Sequence, residues 1–269
     1  MPSWNPAAYG YSAERSRPFH DLMARVHAHE PRYVVDLGCG TGALTAALAD
    51  RWPGAAVEGV DSSPEMLAEA GALSGPRLTF ELGDLRDWRP TAPVDVLVSN
   101  AALQWVPEHR ELLRRWAGPP SDGGVLSARG WLAVQMPGNN DAPSHALMRD
   151  VANREPFRER LDGVLREAGN VGEPGEYGEL LQALGCTVDV WETTYVHFLD
   201  PEGRHGDDAV LRWVTGTGLR PVLDALGDTP QLLEEFVAQY RAELRRAYPR
   251  GAGGTALRFR RVFVVAQRP

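Results

Sequence analysis

An α/β fold, a mostly parallel sheet covered by helices on both faces, is what the first half of this chain predicts. Short β-branched or apolar runs alternate with helical segments between residues 33 and 136, the pattern of parallel strands joined by crossover helices. The run Val34-Val35-Asp36-Leu37 breaks into Gly38-Cys39-Gly40-Thr41-Gly42 and then a helix, a junction at which open sheets bind ligands. Two strand-like runs near the C-terminal end complete the pattern.

Strands are expected near 33–37, 55–60, 78–82, 94–99 and 131–136, with helices near 42–52, 64–73 and 107–117. Ser62 or Ser63 before Pro64 is an N-cap followed by proline in the first turn, which starts the second of these helices. Regularity stops at Pro137-Gly138-Asn139-Asn140, where helical excursions joined by loops begin. A helix near 175–184 leads to a Thr-, Val-, Tyr- and Trp-rich strand at 187–197, and the last strand is expected at 258–266. Leu233, Phe236, Val237, Tyr240 and Leu244 recur at helical spacing within 230–247, a stripe that suits core packing or, alternatively, a partner. Together these elements make one domain, 1–269, with helical lid insertions at about 138–174 and 200–257.

Composition narrows the function classes. A net charge of −8 disfavours nucleic acid, whose binding needs a concentrated positive footprint. Lysine is absent, so all 28 positive charges are arginine and Schiff-base chemistry is excluded. Cys39 and Cys186 are far apart, which gives neither a disulfide framework nor a metal cluster. No apolar leader occupies Met1 to Phe19 and no later run is long enough to span a bilayer, so a cytoplasmic location without membrane attachment is expected.

Glycines 38, 40 and 42 bring bare backbone against a ligand. With Ala43 they satisfy the loose dinucleotide pattern G-x-G-x-x-A, but Asp36 would repel a pyrophosphate and attract a cation. S-adenosylmethionine, which carries an ammonium and a sulfonium and no phosphate, suits this loop better than NAD. Asp61 and Asp84 follow the second and third strands, so the parallel sheet lines up three carboxylates on one edge. Asp61 is expected to accept the ribose hydroxyls and Asp84 the adenine amino group, with Leu85 packed on the ring. Ser62, Met66, Asn100 and Ala101 are the further expected cofactor contacts. The segment Ser99-Asn100-Ala101-Ala102-Leu103-Gln104-Trp105 lacks the Pro-Pro-aromatic pattern that holds a nucleic-acid amine, and Gln104 and Trp105 are expected to face the methyl group.

The chain resembles the trans-aconitate 2-methyltransferase family of class I, Rossmann-like methyltransferases. The resemblance runs through Trp4-Asn5-Pro6, Ala13 to Pro18, Asp36 to Gly42, Gly59 to Pro64 and Asn100 to Trp105. It continues in Ala133 to Pro137, His145 to Arg149, Thr193-Thr194-Tyr195, Thr217-Gly218-Leu219-Arg220-Pro221 and Arg261 to Ala266. It is weaker at 150–174, and the turn at 118–130 is longer than the family pattern. It implies a cytoplasmic enzyme with a seven-stranded sheet and an antiparallel last strand. The implied reaction makes a monomethyl ester of trans-aconitate from S-adenosylmethionine, leaving S-adenosylhomocysteine, without a metal.

A carboxylate acceptor is already ionised at neutral pH, so no catalytic acid or base is expected and the task is positioning. A small tricarboxylate also needs counter-charges for its other carboxylates, which arginine supplies well. Arg220 is the first candidate, Tyr195 and His197 share one face of a strand, and Gln135 and His145 complete the expected acid-binding set. Tyr9 with Arg15 or Arg17 is expected to fold over the cofactor from the N-terminal segment. The alternatives are methylation of another small acid or a malonyl thioester, an NAD-dependent oxidoreductase, and a non-catalytic cofactor-binding protein.

Overall fold

The computed structural model describes residues 12–165, 170–204 and 206–269, with side chains from Ser16 onward. Its strands are β1 (Tyr33–Leu37), β2 (Ala56–Asp61), β3 (Leu78–Leu82), β4 (Val94–Asn100), β5 (Leu126–Pro137), β6 (Thr187–Leu199) and β7 (Thr255–Gln267). Its α-helices are α1 (Ser12–Met23), α2 (Ala43–Arg51), α3 (Pro64–Ala70), α4 (His109–Ala117), α5 (Pro143–Ala152), α6 (Arg158–Leu161), α7 (Pro174–Gln182), α8 (Ala209–Thr215), α9 (Arg220–Ala225) and α10 (Pro230–Ala247).

The strands form one seven-stranded sheet in the order β3-β2-β1-β4-β5-β7-β6. Neighbours from β3 through β5 pair in parallel, and β7 runs antiparallel to β5. This is the expected Rossmann-like methyltransferase topology, and the C-terminal ends of β1, β2 and β3 therefore lie along one edge. Alternation sorts the side chains. Leu37, Leu97, Leu132, Val134, Met136, Val262 and Val264 join one apolar core with Leu113 and Trp116 of α4 and Tyr177 and Leu181 of α7. On the other face α1 packs against β5, and the His27 and Trp131 rings meet edge to face.

Contacts divide the chain into two compact units. Of the described residues, the sheet unit holds 12–137, 171–193 and 261–269, and the helical unit holds 138–165, 170, 194–204 and 206–260. Within the helical unit α10 packs along α5. Phe236, Tyr240 and Leu244 of its stripe are buried, and Phe236 meets Phe157 edge to face at 5.3 Å. These three are core, as their spacing suggested, while Leu233 and Val237 are only partly buried.

Three differences from the sequence expectations have local causes. β5 begins at Leu126 rather than 131, because the register with β4 slips between Val94↔Leu126 and Val96↔Trp131. The slip interrupts the strand pattern around Arg129, which sits at φ 63°. Helix α3 tightens into a 3-10 turn over Gly71–Leu73. Helix α1 carries Pro18 in its interior, a residue that hides a helix from pattern and propensity.

Candidate active site

In the sheet unit, the glycine loop is built from backbone that side chains would disrupt. Gly38, Gly40 and Gly42 have φ of 83°, 57° and 77°, a region L-residues rarely adopt. A Cβ on Gly38 would lie 2.3 Å from Ala102 Cβ, and one on Gly42 would lie 2.7 Å from the Phe80 ring. At Gly40 a Cβ would meet nothing within 4 Å, so the loop there presents bare backbone to open space.

Asp61 organises this floor. Its Oδ2 accepts from Gly40 N at 2.8 Å and its Oδ1 from Ser63 N at 2.9 Å. One carboxylate thus joins the glycine loop to the turn before α3, while each oxygen keeps acceptor capacity for a hydroxyl. Ser63 Oγ caps α3 by accepting from Met66 N at 3.2 Å, Met66 is buried and Ser62 is exposed. The N-cap is therefore the second serine of the pair.

Asp36 is more enclosed than its expected contact with a cofactor ammonium requires. It is buried on β1 and accepts Thr45 Oγ1–H at 2.7 Å. Burial pushes its carboxyl up to about 6, against the Thr45 hydrogen bond that lowers it, and the Asp61 charge adds to the rise. Its influence on a ligand is that of a buried charge rather than an open acceptor. Asp84 also differs, because Arg86 N, Nε and Nη2 all donate to its carboxylate. The Arg86 hydrogen bonds hold that carboxyl below the usual range, and an adenine amino group would share it with the guanidinium. Leu85 is partly buried against the core.

The turn after β4 closes against the loop. Ser99 Oγ donates to Leu37 O at 2.8 Å, and Ala101, at φ 57°, donates its N–H to Gln135 O at 2.9 Å. Gln104 is buried and donates its Nε2 back to Ala101 O at 2.6 Å, so its amide braces the turn. Trp105 beside it is partly buried. Asn100 stands beside Gln135 in the β4–β5 register. The structure therefore gathers Asp36, Gly38, Gly40, Asp61, Ser62 and Met66 around one pair of turns, and Asn100, Ala101, Gln104 and Gln135 around another.

The helical unit carries the remaining acid-binding candidates. His145 lies in the first turn of α5, and a Cβ on Gly218 would come 2.9 Å from its Nε2. This packing joins His145 to the Thr217–Pro221 turn, whose Arg220 opens α9 and donates its backbone N–H to Thr217 O at 3.1 Å. The α5 start is pinned by α10: Tyr240 OH donates to Ser144 O at 2.7 Å, and Ser144 N donates to the Tyr248 hydroxyl beyond the helix at 2.9 Å. Tyr195 and His197 do share a face, with ring centroids 6.4 Å apart, and His197 stacks on Trp213 at 5.0 Å. Tyr9 lies outside the described residues, as does the side chain of Arg15. Arg17 meets Asp21 at 3.8 Å along α1.

Two polar residues at the site carried no sequence expectation. Thr45 reads as an ordinary helix residue, and Arg261 as one of several arginines in the last strand; the only signal for Arg261 is a charge within a strand of buried alternation.

The description "Methyltransferase domain" matches residues 34–124, the segment that includes the glycine loop and Asp61. Trans-aconitate 2-methyltransferase of Streptomyces coelicolor is 51% identical over 276 residues, covering 100% of this chain and 88% of that protein. The enzyme of the same name from Rhodococcus jostii is 51% identical over 269 residues, covering 98% and 99%.

The chain belongs to the trans-aconitate 2-methyltransferase family.

Solved structures agree on the fold. YcgJ from Bacillus subtilis matches with a TM-score of 0.56 at 15% identity, covering 93% of this chain and 98% of that one. Phosphoethanolamine N-methyltransferase 2 of Haemonchus contortus, solved with S-adenosylhomocysteine, matches at 0.53 and 16%, covering 94% and 52%. Membership of the trans-aconitate 2-methyltransferase family makes this chain an S-adenosylmethionine-dependent methyltransferase by class. Among the described residues there is no cluster of metal-ligating side chains, and no helix is long and apolar enough to cross a membrane.

Proposed function

We propose that this chain methylates a carboxylate of trans-aconitate with S-adenosylmethionine, giving the monomethyl ester and S-adenosylhomocysteine. Full-length similarity of about half the residues to trans-aconitate 2-methyltransferases carries this reading. The open backbone at Gly40 and the two-sided bonding of Asp61 fit an adenosine with a ribose diol. When bound, the cofactor supplies an electrophilic methyl group on a sulfonium.

The chain's own residues bind and orient. Gly38 and Gly40 offer main-chain surface, Asp61 accepts from the ribose, and Asp84 with Leu85 faces the base. Ser62, Met66, Asn100 and Ala101 line the same floor, with Tyr9 and Arg15 added from the N-terminal segment. Asp36 places negative charge beneath the cationic end. Gln104, Trp105, Gln135, His145, Tyr195, His197 and Arg220 are the residues proposed to recognise the acid. The helical unit, built from the insertions at about 138–174 and 200–257 of a single methyltransferase domain, supplies selectivity. One carboxylate oxygen forms the new C–O bond as the methyl C–S bond breaks. No proton moves, because the acid is ionised at neutral pH. Alignment and exclusion of water are what remain for the protein to provide. A cytoplasmic location and a small-molecule partner belong to the same proposal.

Transfer of labelled methyl groups to trans-aconitate, cis-aconitate, isocitrate, citrate and a malonyl thioester tests it. Preference for trans-aconitate is expected. Preference for another acid overturns the substrate, and binding of NAD without S-adenosylmethionine overturns the reaction class.

A further inference from the structure

We propose that Arg261 and Gln135 form a carboxylate anchor for the acceptor acid on the sheet unit itself. The inference rests on the carboxylate-acceptor function proposed above and adds a specificity residue that the acid-binding set lacked.

The β4–β5 register pairs Asn100 with Gln135, and the β5–β7 register pairs Pro137 with Arg261. Side chains two residues apart on a strand share a face, so Asn100, Gln135 and Arg261 project from the same face of the sheet. Asp36, opposite Val98 in the β1–β4 register, projects from that face too. Its reverse is the apolar surface of Leu37, Leu97, Val134 and Val262. A row of polar groups thus crosses one face from a carboxylate on β1 to a guanidinium on β7.

Burial makes this row informative. Gln135 is 0% exposed and Arg261 5% exposed, and Arg261 Nη1 donates to Gln135 Oε1 at 3.2 Å. Gln135 Nε2 is sealed from solvent and has no hydrogen-bond partner among the described residues. Asn100 Oδ1, its register neighbour, is sealed and unpartnered as well. Folded proteins leave few such atoms, because an unmade buried hydrogen bond carries the full desolvation cost. A water, an ion or a ligand is the usual explanation.

The chemistry of the atoms selects among these. Gln135 Nε2 offers two N–H donors beside a guanidinium, a set that calls for an anionic, multi-oxygen acceptor such as a carboxylate. Asn100, on the strand between those of Asp36 and Gln135, offers an acceptor in Oδ1, which suits a cation. The row is polarised in the sense that an anionic nucleophile and a cationic methyl donor require if they are to lie side by side. The side-chain oxygen of Gln135, engaged by Arg261, fixes which end of the amide is presented.

Gln135→Glu separates a binding role from a structural one. The substitution keeps an oxygen for Arg261 to bond, so a purely structural Gln135 would tolerate it with no loss of thermal stability. An anchor would lose its donor and gain a charge that repels the acid. We expect KM for trans-aconitate to rise roughly tenfold or more, with KM for S-adenosylmethionine within about twofold of wild type and kcat reduced less than kcat/KM. The melting-temperature shift that trans-aconitate causes in the S-adenosylhomocysteine-loaded protein should disappear. Arg261→Met should do the same; if that variant fails to fold, Gln135→Glu and Gln135→Leu decide. An unchanged KM for the acid, or equal loss of acid and cofactor binding in a folded variant, overturns the anchor while leaving the activity in place. A wild-type protein inactive on every carboxylate tested overturns the function, and the anchor with it.

Discussion

Asp36→Asn should make the ligand-free protein more stable and a weaker cofactor binder. Folding moves this carboxyl from 3.8 to about 6, chiefly by burial, so the folded state holds the proton more tightly than the unfolded chain. Stability from this group is then greatest below pH 3.8, falls as pH rises through the interval, and is fully lost above about 6. At about 1.4 kcal/mol per unit, the burden at pH 8 is about 3 kcal/mol. Asparagine is nearly isosteric, stays neutral, and keeps an oxygen for the Thr45 hydroxyl that now donates to Asp36 at 2.7 Å. Relieving the whole burden would raise the melting temperature at pH 8 by roughly 6–12 °C, with little difference from wild type near pH 4. Against that gain, a cation ~6 Å from the lost charge forfeits about 2–3 kcal/mol at an effective dielectric near 20. The expected loss of S-adenosylmethionine affinity is therefore roughly 50-fold. Thermal melts from pH 4 to 8 and titration calorimetry at pH 8 measure the two effects. An Asn variant no more stable than wild type at pH 8, or a gain that does not depend on pH, would show that the buried charge is not the source. Unchanged cofactor affinity would make Asp36 purely structural.

Two glycine substitutions separate the loop's two roles. Gly38→Ala drives a Cβ to 2.3 Å from Ala102 and should lower both thermal stability and cofactor binding; a variant that keeps either would refute the tight seating of the loop on the post-β4 turn. Gly40→Ala has open space at its Cβ, so it should cost only about 1–2 kcal/mol of left-handed strain yet weaken S-adenosylmethionine binding tenfold or more, and wild-type affinity by calorimetry would remove the cofactor from that surface. In the helical unit, Gly218→Ala pushes on His145 Nε2 from 2.9 Å and should raise KM for the acid several-fold with the cofactor KM unchanged, whereas an equal effect on both would assign His145 a structural role.

Much of the sheet was legible because its physics is local. β1 and β3 occupy the residues their apolar runs predicted, and α10 spans 230–247 as its stripe required. A boundary moved at the slipped register before Trp131, and the proline-bearing α1 carried no helix expectation at all. The candidate site was legible in its glycines, whose left-handed turns are local, and in Asp61 at the end of its strand, but not in the bond Asp61 makes to Gly40, 21 residues away. It was less so for Asp84, because the Arg86 side chain two residues on reaches back to claim the carboxylate. Nothing in the spacing of Gln104 foretold that its amide would brace the carbonyl of Ala101.

By itself the sequence determined the alternation of strands and helices, the glycine loop, and acidic residues at or just beyond the ends of the first three strands, since each follows from short-range periodicity and backbone sterics. Its motifs also carried the family, which full-length relatives at 51% identity bear out. Only the tertiary structure decided which polar groups are sealed and which remain available. Asp36 and Thr45 are nine residues apart, and Gln135 and Arg261 are 126 apart. Burial and pairing across such separations arise from how strands lie beside one another, and no local pattern of residues encodes them.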